Sequence, residues 1–246
     1  MISRTTFQAP NRMAATSSSV VRKGGVAAEA CVWLLVSCWI AGCADPVARQ
    51  IDDVRRGRSD QLSVDDRDFS DDQMSSLQGL DTLAELLVER GRVTDAGLDA
   101  LTGMSRLRHL RLRGARITDV GASKIAKLRG LRFLNLPNAD LTDAGLERLT
   151  QLPDLELLRL GSPRISDDGL AAVARMPSLK FLHLIEIPIT DAGLAHVEAA
   201  TKLTSFYVDG ARVTDDGIER LLAARPQLHV HIDQRHSDRD PNRHEH

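Results

Sequence analysis

Few residues in this chain are placed to do chemistry. Its cysteines, Cys31, Cys38 and Cys43, lie within or at the end of one apolar stretch, so nothing after Cys43 can form a disulfide or act as a cysteine nucleophile. Adjacent carboxylates at Asp71-Asp72, Asp167-Asp168 and Asp215-Asp216 have the proximity that an acid/base dyad needs. Each pair, however, occupies the same place in a repeating unit, and neighbours along a chain point in different directions. His229, His231, His236, His244 and His246 gather near the C-terminus without a spacing that sets a metal geometry. There is no Gly-x-Ser-x-Gly, no His-Glu-x-x-His and no glycine-rich phosphate loop. The chain therefore reads as a non-enzyme that needs no cofactor or metal and takes no small-molecule substrate.

What remains for Cys43 is modification. Residues 1–25 contain no acid and end near Arg22 and Lys23, and Val26 to Ala41 is apolar apart from Glu29, the order of a secretory signal. The apolar run from Ala30 to Ala44 is 15 residues long, short of the ~20 that a membrane-crossing helix needs. Ile40-Ala41-Gly42-Cys43, at the end of this run, resembles a bacterial lipobox. That resemblance implies cleavage before Cys43, a diacylglyceryl group on its thiol and anchorage in the cell envelope through two or three acyl chains. Each buried methylene of such chains contributes about 0.8 kcal/mol. Ala44 rather than an aspartate follows the cysteine, which in such lipoproteins favours the outer over the inner membrane. Met13 is an alternative start and would leave a more typical signal of about 31 residues.

The elements that must carry any working residues come from one unit copied seven times. Aligned with itself at a shift of 24, the chain shows copies beginning at Phe69, Val93, Ile117, Leu141, Ile165, Ile189 and Val213 with no insertion between them. Leu146, Leu149 and Leu152, three apart, describe one face of a helix, whereas Leu158 and Leu160, two apart, describe a short strand. Leu62-Ser63-Val64 adds a strand before the first copy, and Val47, Ile51 and Val54 are spaced for a short helix that covers the open N-terminal end. A helix and a strand in so few residues cannot bury a core alone, so the units must stack into an α/β solenoid. The expected fold is a curved parallel sheet on the concave side with helices on the convex side. The chain divides into a signal peptide (1–42), a lipidated N-terminus with short tether and cap (43–68), seven repeats (69–236) and a polar, histidine-rich tail (237–246).

Inside each copy, Ser70, Thr94, Thr118, Thr142, Ser166, Thr190 and Thr214 stand where a helix N-cap is needed. The aspartate after each, from Asp71 to Asp215, meets the positive end of the helix dipole. A calcium ladder would require several oxygen ligands converging on each ion, and the repeat offers mainly one carboxylate per turn. Gly97, Gly121, Gly145, Gly169, Gly193 and Gly217 are expected where the helix comes close to the sheet. The first copy has Gln73 there, which marks it as a less regular terminal repeat.

The repeated Ile-Thr-Asp-x-Gly-Leu with Leu-x-x-Leu-x-Leu, over about residues 62 to 236, resembles the leucine-rich repeats of bacterial envelope proteins and of eukaryotic F-box substrate receptors of the ribonuclease-inhibitor-like kind. The resemblance implies a recognition module. The adaptor-binding helical segment of F-box proteins has no counterpart here, so a ubiquitin-ligase role does not carry over.

Residues between the core leucines of each strand must point into the concave face. One such row is Glu85, His109, Phe133, Leu157, Phe181, Ser205 and His229; the next is Leu87, Arg111, Asn135, Arg159, His183, Tyr207 and His231. Apolar side chains have no core duty there, so Phe133, Leu157, Phe181 and Tyr207, flanked by Arg111, Arg159 and His183, form the candidate partner-binding surface. Its expected partner is a protein or peptide, with a glycan as second choice. A formal net charge of −2 argues against a nucleic-acid partner. Residues 52–89 carry eleven acidic against four basic side chains and residues 90–132 eleven basic against three acidic, so neighbouring blocks should pair across repeats. Arg92, Arg116, Arg164 and Arg212, at the last position of four repeats, could meet phosphates or an acidic partner, but such a row reads more readily as a solvated edge.

Overall fold

The period switch inside each repeat produces one strand and one helical segment per unit. The computed structural model describes residues 45–66, 68–233 and the backbone of 235–236. Cys43, the signal segment and the histidine-rich tail from 237 onward lie outside the described residues. Eight parallel strands follow one another in chain order: β1 (Gln61–Asp65), β2 (Glu85–Arg90), β3 (His109–Leu112), β4 (Phe133–Leu136), β5 (Leu157–Leu160), β6 (Phe181–Ile185), β7 (Ser205–Asp209) and β8 (His229–Ile232). A two-residue strand, β9 (Arg235–His236), returns antiparallel on β8; the repeat pattern gave no sign of it. Glu85 lies beside His109, His109 beside Phe133, Phe133 beside Leu157 and Leu157 beside Phe181, so the register step from β2 to β6 equals the repeat; at β1 a bulge after Val64 sets Asp65 beside Arg90.

Side-chain alternation divides each strand between core and open face. Leu86, Leu110, Leu134, Leu158, Leu182, Phe206 and Val230 make one fully buried column, and Val88, Leu112, Leu136, Leu160, Leu184 and Val208 make the next. Each such side chain contributes about 2 kcal/mol by leaving water. Helices α1 (Pro46–Arg55), α2 (Asp71–Ser75), α3 (Asp119–Ile125), α4 (Asp143–Leu149), α5 (Ala171–Arg175), α6 (Asp191–Ala199) and α7 (Asp215–Ala224) supply the opposite wall. Their inward residues, such as Leu146 and Leu149 of α4, are buried. The helical segments are less uniform than the repeat implied: Gly97–Leu101 and Asp168–Leu170 wind as 3-10 turns, the tighter form used in short pieces. At the N-terminal end, α1 starts on Asp45, whose carboxylate accepts from the Val47 N–H, and packs Ile51 and Val54 into the core.

The recurring polar step of each repeat joins one unit to the next. Asp119 Oδ1 accepts the backbone N–H of Thr142 at 2.8 Å and Oδ2 accepts its hydroxyl at 2.6 Å. The same paired bonds link Asp71 to Thr94, Asp95 to Thr118, Asp143 to Ser166, Asp167 to Thr190 and Asp191 to Thr214. Thr118, Thr142 and Thr190 also cap their own helices by accepting an N–H two residues on.

This ladder corrects the reading of the glycines. A Cβ on Gly145 would collide with Asp119 Oδ1, and one on Gly97, Gly121, Gly169, Gly193 or Gly217 would meet the matching carboxylate of the preceding repeat. These glycines make room for a carboxylate rather than for helix-to-sheet approach. The first copy has no aspartate a repeat earlier to accommodate, and there Gln73 Oε1 instead accepts the Ser70 N–H at 3.0 Å.

Candidate partner-binding face

The two outward rows lie on the face of the sheet opposite the helices of the described residues. Phe133, Leu157 and Phe181 occupy adjacent strands in register. Phe133 and Leu157 are half-buried, and Phe181 stands out at 40% exposure. His109 meets the Phe133 ring edge-on at 5.6 Å, and the Arg132 guanidinium lies 5.6 Å from the same ring centre. Burial lowers the pKa of His109 below the usual imidazole value; Glu85 opposes this and Arg111 adds to it. The imidazole beside Phe133 is therefore favoured in its uncharged form.

The second row is mostly engaged with itself. Tyr207 stacks on His231 with centroids 4.1 Å apart and 16° between planes, and tilts against His183 at 5.5 Å. His183 Nε2 lies 2.8 Å from Asp209 Oδ2. Arg111 donates to Glu89 Oε1 at 2.7 Å, and Arg113 reaches Oε2 of the same carboxylate at 3.3 Å. Of the seven residues singled out in the sequence, Arg111, His183 and Tyr207 thus already have intramolecular partners. Phe133, Leu157, Phe181 and Arg159 are the ones the face presents outward.

Arg159 makes no hydrogen bond or ion pair with any described residue, and its Nε is shielded from solvent. Burial lowers its pKa first, the charges of Arg111 and Arg113 lower it further, and Asp209 and Glu89 counteract them. Asn135, between Arg111 and Arg159 in register, is 7% exposed and its Oδ1 has no donor. Sequence reasoning placed Asn135 on this row without weighing it. It also missed Glu89, Arg113 and Asp209, which lie two residues past the second row, where a column reading one step longer would have found them.

Other surfaces are satisfied locally. A cleft of about 760 Å³ follows the edge where the strands begin, between Arg108, Arg132, Glu156, Lys180 and Lys202. There Arg132 and Lys180 both hold Glu156, and these bonds keep its pKa below the usual carboxylate range. On the opposite edge, Arg92 pairs with Asp68 at 2.9 Å and Arg164 with Asp140 at 3.4 Å, both largely exposed, as a solvated edge requires. The acidic and basic blocks meet in the same way through Asp65–Arg90 and Glu89–Arg111.

Residues 105–126 match the leucine-rich repeat family. No curated protein matches the chain. Among solved structures, internalin C2 of Listeria monocytogenes is similar, with a TM-score of 0.56 and 24% identity over 74% of this chain and 74% of that one. These likenesses join the one-repeat register and the buried leucine columns in identifying the chain's fold as an α/β leucine-rich-repeat solenoid.

Proposed function

We propose that the chain is a membrane-tethered protein-protein interaction module of the bacterial cell envelope, binding its partner on the concave sheet face. The observation that carries this reading is the outward row Phe133, Leu157 and Phe181: three adjoining apolar side chains on a face that no helix among the described residues covers. Apolar surface of this kind, rimmed by charge, marks contact sites. The tether rests on Ile40-Ala41-Gly42-Cys43, and the few residues from Cys43 to Pro46 span roughly 10 Å, which keeps the solenoid close to its membrane, by preference the outer one. A structural envelope lipoprotein without a specific ligand is the second reading, and the Tyr207–His231 stack, in which rings pack on each other, is what favours it. Glycan binding is a variant of the first.

Crosslinked pull-downs from envelope extracts separate the two. Phe133→Ala/Phe181→Ala should weaken capture by about 2 kcal/mol or more, some 30-fold, while Tyr207→Ala, matched for melting temperature, retains most of it. Capture that is identical for wild type and the double variant would favour the structural reading. Palmitate labelling that disappears in Cys43→Ser supports the anchor, and labelling that persists removes it.

A further inference from the structure

The open face carries one local excess of positive charge. Arg111, Arg113 and Arg159 converge on it, and among the described residues Glu89 is the only carboxylate bonded to any of them; it is taken by Arg111 and Arg113, while Asp209, the other nearby carboxylate, is held by His183. Arg159 is left with no hydrogen-bond or ion-pair partner among the described residues, and beside it sits the nearly buried Asn135, whose Oδ1 lacks a donor. Partly buried polar groups are usually hydrogen-bonded, and an orphaned one costs free energy that a ligand can recover. The apolar row begins two residues earlier on the same strands, roughly 7 Å away at ~3.3 Å per residue.

We propose that Arg159, with Asn135 and Arg111, receives a carboxylate of a partner protein, an Asp or Glu side chain set about 7 Å from a large apolar residue that lands on Phe133, Leu157 and Phe181. This deepens the concave-face reading and rests on it. A guanidinium holds a carboxylate through two parallel N–H bonds, and a peptide supplies both that anion and N–H groups of the kind Asn135 Oδ1 lacks. A lipid phosphate supplies the anion but not the N–H donor that Asn135 Oδ1 lacks. A basic partner is disfavoured by the same excess charge.

The test is selection from a random 12-residue peptide display library on the full chain in neutral detergent, for wild type, Arg159→Gln, Arg159→Lys and Phe133→Ala/Phe181→Ala, all checked for equal melting temperature. Wild type should enrich peptides with Asp or Glu two residues from Phe, Leu or Trp. The best of these should lose about 30-fold in affinity with Arg159→Gln, and less with Arg159→Lys, which keeps the charge but not the fork. Enriched peptides that need the phenylalanines but show no acidic preference would overturn the Arg159 site and leave the concave-face reading standing. Acidic peptides that need Arg159 but not the phenylalanines would keep the carboxylate site and remove the apolar half of that reading. If no peptide is enriched, the proposal fails, and stabilisation by phosphatidylglycerol micelles that vanishes in Arg159→Gln would reassign the site to a headgroup.

Discussion

At the scale of single residues, the repeat's polar step is a coupled pair: an aspartate in one unit and the glycine that clears space for it in the next. In isolation, Gly145→Ala within α4 should stabilise a helix by roughly 0.5–1 kcal/mol. In this molecule the new methyl would displace Asp119 from both of its bonds to Thr142, so urea unfolding should show a loss of about 1–3 kcal/mol instead. Asp119→Ala should itself cost about 2 kcal/mol, and in that background Gly145→Ala should become neutral or stabilising. An additive cycle would sink the coupling. The same step has a pH signature. The bonds from the Thr214 N–H and hydroxyl, with lesser help from Arg220, hold the Asp191 carboxyl below its usual pKa. A lowered folded-state pKa contributes stability that is full above the unfolded value and lost as pH falls through the folded one. Asp191→Asn should therefore melt below wild type at pH 7, with the gap closing below about pH 4; a gap independent of pH would contradict the assignment.

At the scale of elements, what joins one helix to its neighbour is as important as what caps it. Arg225, just after α7, donates to four carbonyls of the preceding repeat: Glu198, Ala200, Thr201 and Leu203, at 2.8–3.3 Å. A cation at a helix C-terminus is favourable in itself, and this one also pins the last helix to the turn after α6. Arg225→Ala should cost about 2 kcal/mol. Hydrogen exchange should show faster opening of α7 and β8 with β3 to β5 unchanged, and uniform loss of protection would argue against so local a role. Strand positions and registers were legible in the sequence because the parallel pairings from β2 to β8 join residues one period apart, as with Phe133 beside Leu157. The state of the outward side chains was not. Arg111 reaches back to Glu89 and His183 forward to Asp209, diagonals between columns that depend on side-chain reach rather than on the period. The strand β9 occupies the last two positions of the final unit, where the units before it form no such strand, so no repetition announces it.

At the scale of the whole molecule, cohesion among the described residues comes chiefly from neighbour-to-neighbour contacts. Leucine columns and the aspartate ladder each run from one repeat to the next, and Cys43 and the cysteines before it lie outside the folded repeats, so no disulfide bridges distant units. Stability in such a stack is approximately a sum of unit and interface terms. Removing Leu141–Arg164, one full period of 24 residues, joins Asp140 to Ile165 and leaves Asp119 facing Ser166 as it faced Thr142. The shortened chain should fold, unfold cooperatively in urea with an m-value reduced by about one eighth, and keep its far-ultraviolet circular dichroism per residue. Removing Leu141–Leu152, half a period, should not be tolerated: β5 would arrive without its helix, and Asp119 would lose its threonine. Loss of cooperative unfolding in both deletions would show that stability depends on contacts spanning more than one repeat. The first deletion also removes Leu157 and Arg159 while restoring the register around them, so a folded variant that no longer enriches acidic peptides would separate recognition from fold within a single chain.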